Sequence, residues 1–193
     1  MKRILIFLSI LAASCSSTKI VQSWKAPVSG NSPVQFNKVL IIALGKDETS
    51  RRLAEDKIAA ANKTFHASYL IFPNKQIIGD EDRFKNIIKE NGFDGVVTLR
   101  LLSKDKDNTW VAGNYTGGYW GYRSNFYPGY YQPGYYQENT TYSIETTVFS
   151  MNQDKLLWSG ITATTNPSSL KRTIDEVLKE VIRQMKKDHF ITD

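Results

Sequence analysis

The side chains able to do covalent or acid–base chemistry are few in this 193-residue chain: one cysteine, Cys15, and two histidines, His66 and His189. The histidines fall at the entrance of an expected strand and beyond the last expected helix, with no zinc-ligand spacing and no thiol to activate. No Gly-x-Ser-x-Gly elbow is present. Glu55 and Glu145 remain as carboxylates, and each has a plainer use, Glu55 as the ion-pair partner of Arg51 on a helix and Glu145 on a sheet surface. Gly45-Lys46 follows an apolar run as in a phosphate-binding loop, but that motif needs a glycine five places earlier, and position 40 is leucine. The expectation is a chain without catalytic residues, metal ligands or cofactor.

Cys15 has another chemistry. Met1-Lys2-Arg3 is a basic start, and Ile4 to Ala13 is an apolar run of roughly ten residues, half of the ~20 that a spanning helix needs, as in a signal peptide. Ala12-Ala13-Ser14-Cys15 resembles the lipobox of bacterial lipoproteins, with Leu11 one place earlier than the usual leucine. The resemblance implies cleavage after Ser14 and lipidation of Cys15. Acyl chains such as palmitate, at ~0.8 kcal/mol per buried CH₂, would then hold the chain to a bilayer. Ser16, with no aspartate after the cysteine, implies sorting to the outer membrane, facing the periplasm.

The elements that carry these residues are legible from pattern. Residues 15–37 read as a polar tether with a short strand at Ile20 to Trp24. Val39 to Leu44 is an unbroken apolar run, as in a strand covered on both faces. A helix then runs to about Lys63, with Leu53, Ala54, Ile58 and Ala61 inward. Ala67 to Phe72 is a second strand, Asp82 to Glu90 a helix closed by Asn91-Gly92, and Gly95 to Leu102 a third strand. Tyr142 to Ser150 and Leu156 to Thr164 form a hairpin around Asn152 to Lys155, pairing Val148 with Ser159, Ile144 with Ala163 and Phe149 with Trp158. Its apolar face (Tyr142, Ile144, Val148, Leu157, Ile161) should take a final helix, whose stripe is Leu170, Ile174, Val177, Leu178, Val181, Ile182 and Met185. Asn166 and Ser168 compete as its cap, with Pro167 at the first position. The expected fold is α/β: a five-stranded mixed sheet ordered 2-1-3-4-5, with three parallel strands, crossover helices, an antiparallel hairpin and the long helix.

Composition divides the chain into a signal peptide over 1–14, the tether over 15–37 and a single domain over 38–193 that carries an aromatic insert at 109–137. The formal charge of +6 falls when Lys2 and Arg3 leave with the leader, and the modest excess does not point to nucleic acid. Trp110 to Tyr136 holds eight of the ten tyrosines, two tryptophans and six glycines, with Arg123 as its one charge. Within it Pro128-Gly129-Tyr130-Tyr131-Gln132 recurs as Pro133-Gly134-Tyr135-Tyr136-Gln137. The candidate binding residues are Trp110, Tyr119, Trp120, Tyr130, Tyr131, Tyr135 and Tyr136. Such rings suit a lipid headgroup layer, stacking on sugars, or a protein interface, and the residues alone leave all three open.

Ser23-Trp24-Lys25, Lys38 to Leu44, Arg51 to Asp56, the Gly/Tyr insert and Lys155-Leu156-Leu157-Trp158-Ser159-Gly160 with its closing helix resemble small bacterial envelope lipoproteins of unknown function. The resemblance spans almost all of the mature chain and implies a periplasmic α/β domain on a lipid anchor, with no activity. The resulting expectation is a non-catalytic envelope lipoprotein that binds a protein partner or peptidoglycan. A structural lipoprotein resting on the membrane surface is the alternative, and a hydrolase ranks behind both. Oligomeric state is not legible.

Overall fold

The computed structural model describes residues 17–27, 34–45, 47–72, 80–111 and 134–191. Cys15, Tyr119, Trp120, Tyr130 and Tyr131 lie outside them. Six strands form one mixed sheet: β1 (Thr18–Lys25), β2 (Val39–Leu44), β3 (Phe65–Ala67), β4 (Gly95–Val111), β5 (Tyr135–Ser150) and β6 (Lys155–Thr165), in the order β1-β6-β5-β4-β2-β3. The helices among the described residues are α1 (Glu48–Ala59), α2 (Glu81–Glu90) and α3 (Leu170–Lys187). The expected count of five and its order are thus corrected. Thr18–Lys25, which the sequence suggested as a short strand in a tether, is a full edge strand antiparallel to β6, with Thr18 opposite Thr164 and Lys25 opposite Trp158.

The apolar run of β2 does what such a run should. It pairs in parallel with β4 on one side and β3 on the other and is buried from Val39 to Ala43. The two parallel crossovers run in opposite directions along the sheet, so right-handed connections put their helices on opposite faces. Ile58 of α1 accordingly packs with Val39, Ile41, Leu99 and Ile174 of α3, while Ile88 of α2 packs with Leu40, Ile42, Phe72 and Val96. Gly92, at φ +68, ends α2 in the left-handed conformation expected of Asn91-Gly92.

Several local expectations are corrected. The second strand is only Phe65–Ala67, followed by a 3-10 turn over Ser68–Leu70. Leu53 is half exposed, and the inner face of α1 is Arg51, Glu55 and Ile58. The hairpin pairs Val148 with Trp158, Ile144 with Thr162 and Phe149 with Leu156. Its turn is Met151 to Asp154, and a bulge beside Val148 adds one residue to β6. That one-residue shift turns β6 over, since side chains alternate with period two. Trp158, Thr162 and Thr164 are therefore buried, and Ile161 is not. Trp158 joins Val148, Val177, Val181 and Met185 in the core beneath α3, its indole N–H donating to Asp188 at 3.0 Å. Gly160 is needed beside it, because a Cβ there would collide with the indole.

Candidate functional site

β4 and β5 are far longer than their neighbours, and the excess builds the candidate site. β2 accompanies β4 only as far as Arg100, and β6 accompanies β5 only up to Thr141. Beyond that row, apart from Asn166 beside Thr140, the two strands pair with each other alone, from Lys106 opposite Thr140 to Val111 opposite Tyr135. These six rows make a ribbon of about 20 Å at ~3.4 Å per residue. The aromatic insert was expected as a loop from Trp110 to Tyr136; both residues instead lie in the ribbon, directly opposite each other.

The ribbon is braced where it leaves the sheet. Asn166, one of the two caps expected for the last helix, sits at φ +49 and acts as a further strand residue. Its amide donates to the Thr140 carbonyl and its Oδ1 accepts from the Thr140 amide, both at 2.8 Å, while its Nδ2 donates to Asn139 at 2.7 Å. The cap of α3 is Ser169, whose hydroxyl accepts from the Arg172 amide. Lys106 pairs with Glu138 across the ribbon at 2.8 Å, and Asn139 donates to Thr109 at 3.1 Å.

Charge is distributed along the ribbon in one direction. Lys104, Asp105, Lys106, Asp107 and Glu138 occupy the rows near the sheet, and Thr109, Trp110, Val111, Tyr135, Tyr136 and Gln137 the far rows. Trp110 and Tyr136 hold their ring centroids 4.8 Å apart at 60°. Gly134 lies under the indole, where a Cβ would collide with it. Trp110 is 55% exposed, Tyr135 58% and Tyr136 73%, so all three rings meet solvent. Two of the seven expected binding aromatics, Trp110 and Tyr136, are thus brought together; Tyr135, opposite Val111, falls on the other face of the ribbon, and the other four lie outside the described residues.

The same end of the sheet carries the start of the chain body. The Thr18 hydroxyl meets that of Thr164 at 2.8 Å and donates to Glu176 of α3 at 2.9 Å, and the Ser17 hydroxyl reaches the same carboxylate at 3.1 Å. Burial would raise the Glu176 pKa, but the bonds from Thr18, Arg172 and Ser17 hold it below the ordinary glutamate value. Neither Thr18 nor Glu176 stood out in the sequence, because a threonine before a strand and a glutamate on a charged helix face are both commonplace.

The other ionisable clusters are structural. Arg51 and Glu55 are completely buried as a pair at 3.0 Å. Glu55 also accepts from the Ala43 amide, the Ser68 hydroxyl and the Tyr69 amide, and Arg51 donates to Ser68 and the Phe72 carbonyl. The network ties α1 to β2 and to the 3-10 turn. Glu145 lies on the sheet surface against Arg100 at 2.7 Å. His66 meets the Phe93 ring edge-on at 5.8 Å, and His189 follows α3 at φ +53. Among the described residues, no three His, Cys, Asp or Glu side chains converge on a cation site, and no helix is long and apolar enough to cross a membrane.

No family model and no curated protein matches the chain. Among solved structures, two PelC dodecamers from Paraburkholderia phytofirmans, one of them a point variant, are similar at TM-scores of 0.45 and 0.44. Their identities are 10% and 8%, over 85% and 91% of this chain and 95% and 99% of theirs. Lipoprotein GNA1162 from Neisseria meningitidis is similar at a TM-score of 0.41 and 13% identity, over 78% of this chain and 98% of that one. Likeness at this level carries no functional inference to this chain.

Proposed function

We propose that the protein is a non-catalytic lipoprotein of the bacterial cell envelope, acylated at Cys15 and held on the periplasmic face of the outer membrane, with its aromatic ribbon resting in the lipid headgroup layer. One observation carries this reading: Thr18 and the ribbon leave the sheet at the same end. Thr18 is three residues after Cys15, a reach of at most about 10 Å. An acylated Cys15 would therefore bring the bilayer close to the row of Thr18, Thr164 and Tyr142. From Tyr142 the charged part of the ribbon extends to Glu138, roughly 14 Å at ~3.4 Å per residue, before the aromatic rows begin. The change from charge to aromatic thus falls about where the anchor's reach puts the headgroups, the layer in which tryptophan and tyrosine are favoured.

Of the three uses that the sequence leaves open for these rings, the geometry favours the lipid interface. Glycan stacking and a protein interface become outcomes of its test. The acylated protein, with Trp24 and Trp158 replaced by phenylalanine, is reconstituted in vesicles containing brominated lipids. Quenching of the Trp110 and Trp120 emission is the expected result. Unquenched emission, together with protection of the ribbon from protease by peptidoglycan or a captured envelope protein, overturns the membrane reading in favour of the binding one.

A further inference from the structure

A second feature lies on the α1/α3 face of the sheet and owes nothing to the anchor. Between the helices and β2, β4 and β5 is a cavity of about 470 Å³. Its walls are mainly aliphatic and aromatic, among them Ile41, Ile58, Val97, Leu99, Val177 and Val181. The polar side chains on them are Gln35, Asn62, Thr64 and Thr146, all neutral, and among the described residues no charged side chain lines the space. A cavity of roughly 150 Å³ takes a benzene ring, so one three times larger holds roughly 18 non-hydrogen atoms, well within the range of ligand sites.

Thr146 is the telling residue. It is 3% exposed on the cavity wall, and its Oγ1 is buried without a hydrogen-bond partner among the described residues. The other buried threonines of this face are satisfied: Thr162 donates to the Ile144 carbonyl, and Thr164 meets Thr18. A hydroxyl buried without a partner is destabilising, and valine would fill the same volume without that cost. A threonine here makes physical sense when a bound molecule supplies the missing partner.

We infer that this cavity is a binding site for an uncharged single-chain amphiphile, with a hydrocarbon body of about a dozen or more carbons and one neutral oxygen, as in a long-chain alcohol. The hydrocarbon occupies the apolar space, and rotation of the Thr146 side chain brings its buried Oγ1 to the cavity, where the ligand oxygen bonds to it. An ionised head is disfavoured, because among the described residues no cation lines the cavity to compensate a buried charge.

The test is titration of 1-dodecanol, dodecanoate and dodecane into the methyl-labelled mature chain, followed by NMR at the methyls of Ile58, Val97, Val177 and Val181. Dodecanol should bind saturably at one site, about tenfold more tightly than dodecanoate at neutral pH. Thr146→Val should fold, weaken dodecanol about fivefold and leave dodecane unchanged. Ala61→Trp, at an exposed position lining the cavity, should block all three without altering the circular dichroism. The inference is overturned if no saturable shift appears at these methyls, if dodecanoate binds as well as the alcohol, or if Thr146→Val leaves dodecanol affinity unchanged.

Discussion

Replacing Glu55 by glutamine changes the side chain little in size and tests whether the buried network holds α1 in place. In the native protein Oε1 accepts from Ala43 N–H, the Arg51 guanidinium and the Ser68 hydroxyl, and Oε2 accepts from Tyr69 N–H. Glutamine keeps one acceptor, points an NH₂ at a backbone donor and leaves Arg51 buried without its closest counter-charge. Glu48 remains near Arg51, but at 3.4 Å and half-exposed. Breaking a buried pair from one side costs about 3–5 kcal/mol, and the surviving acceptor puts Glu55→Gln at the lower end, about 3 kcal/mol. Glu55→Ala should reach the upper end. Either is a large part of the 5–15 kcal/mol typical of a domain. The double variant Arg51→Met/Glu55→Leu removes the stranded charge, so its loss should fall short of the summed single losses by at least about 2 kcal/mol. Urea denaturation of the parent, Glu55→Gln, Glu55→Ala, Arg51→Met, Glu55→Leu and the double variant measures this. A Glu55→Gln cost below about 1 kcal/mol, or additive single variants, would refute the assignment of the pair as the clamp between α1, β2 and the 3-10 turn.

Other expectations follow from single contacts. Burial would raise the pKa of Asp94, but the amides of Asn37 and Lys38 and the Asn37 side chain bond to its carboxylate and bring it below the ordinary aspartate value of 3.8. Since the folded-state value is depressed, its contribution is complete above 3.8 and is lost as pH falls through the folded value; acid titration should show Asp94→Asn losing less stability over that interval than the parent. Gly160→Ala should cost about 1–3 kcal/mol by driving a methyl into the Trp158 indole, read as a lower thermal midpoint with changed tryptophan emission. Asn166→Ala should cost about 1–2 kcal/mol and speed hydrogen exchange at the Thr140 amide while leaving that of Val148 protected, since only the base of the ribbon is released.

Legibility followed the range of the interactions. The apolar run of β2, the periodicity of α3 and the Asn91-Gly92 stop could be read because each is written within a few neighbouring residues. The bulge in β6 could not, since it is decided by how Trp158 packs against Val177 and Val181 some twenty residues on. Arg51 and Glu55 read as a helix ion pair, but not as a buried one, because charge outweighs position in any hydropathy pattern. The four-residue step from Arg51 to Glu55 and the three-residue step from Glu55 to Ile58 were the available sign that all three share the buried face. The aromatic rows were recognisable by composition, whereas their placement on a ribbon depended on two strands pairing across residues 112–133, and on Asn166 leaving its expected cap to support them. Thr146 carried no local sign at all, being one of many threonines in a β-forming stretch.

The pairing of Thr18 with Thr164 joins residues 146 positions apart and so governs the order of assembly. A chain emerging from its N-terminus presents β1 first, yet the strand that receives β1 is the last of the sheet to appear. Trp158 and the apolar side of α3 arrive later still or together with it. Until then β1 has no partner and the core beneath α3 is uncovered, so a partly synthesised chain remains incompletely folded. Completion of the C-terminal third is the event that closes the molecule at both ends at once.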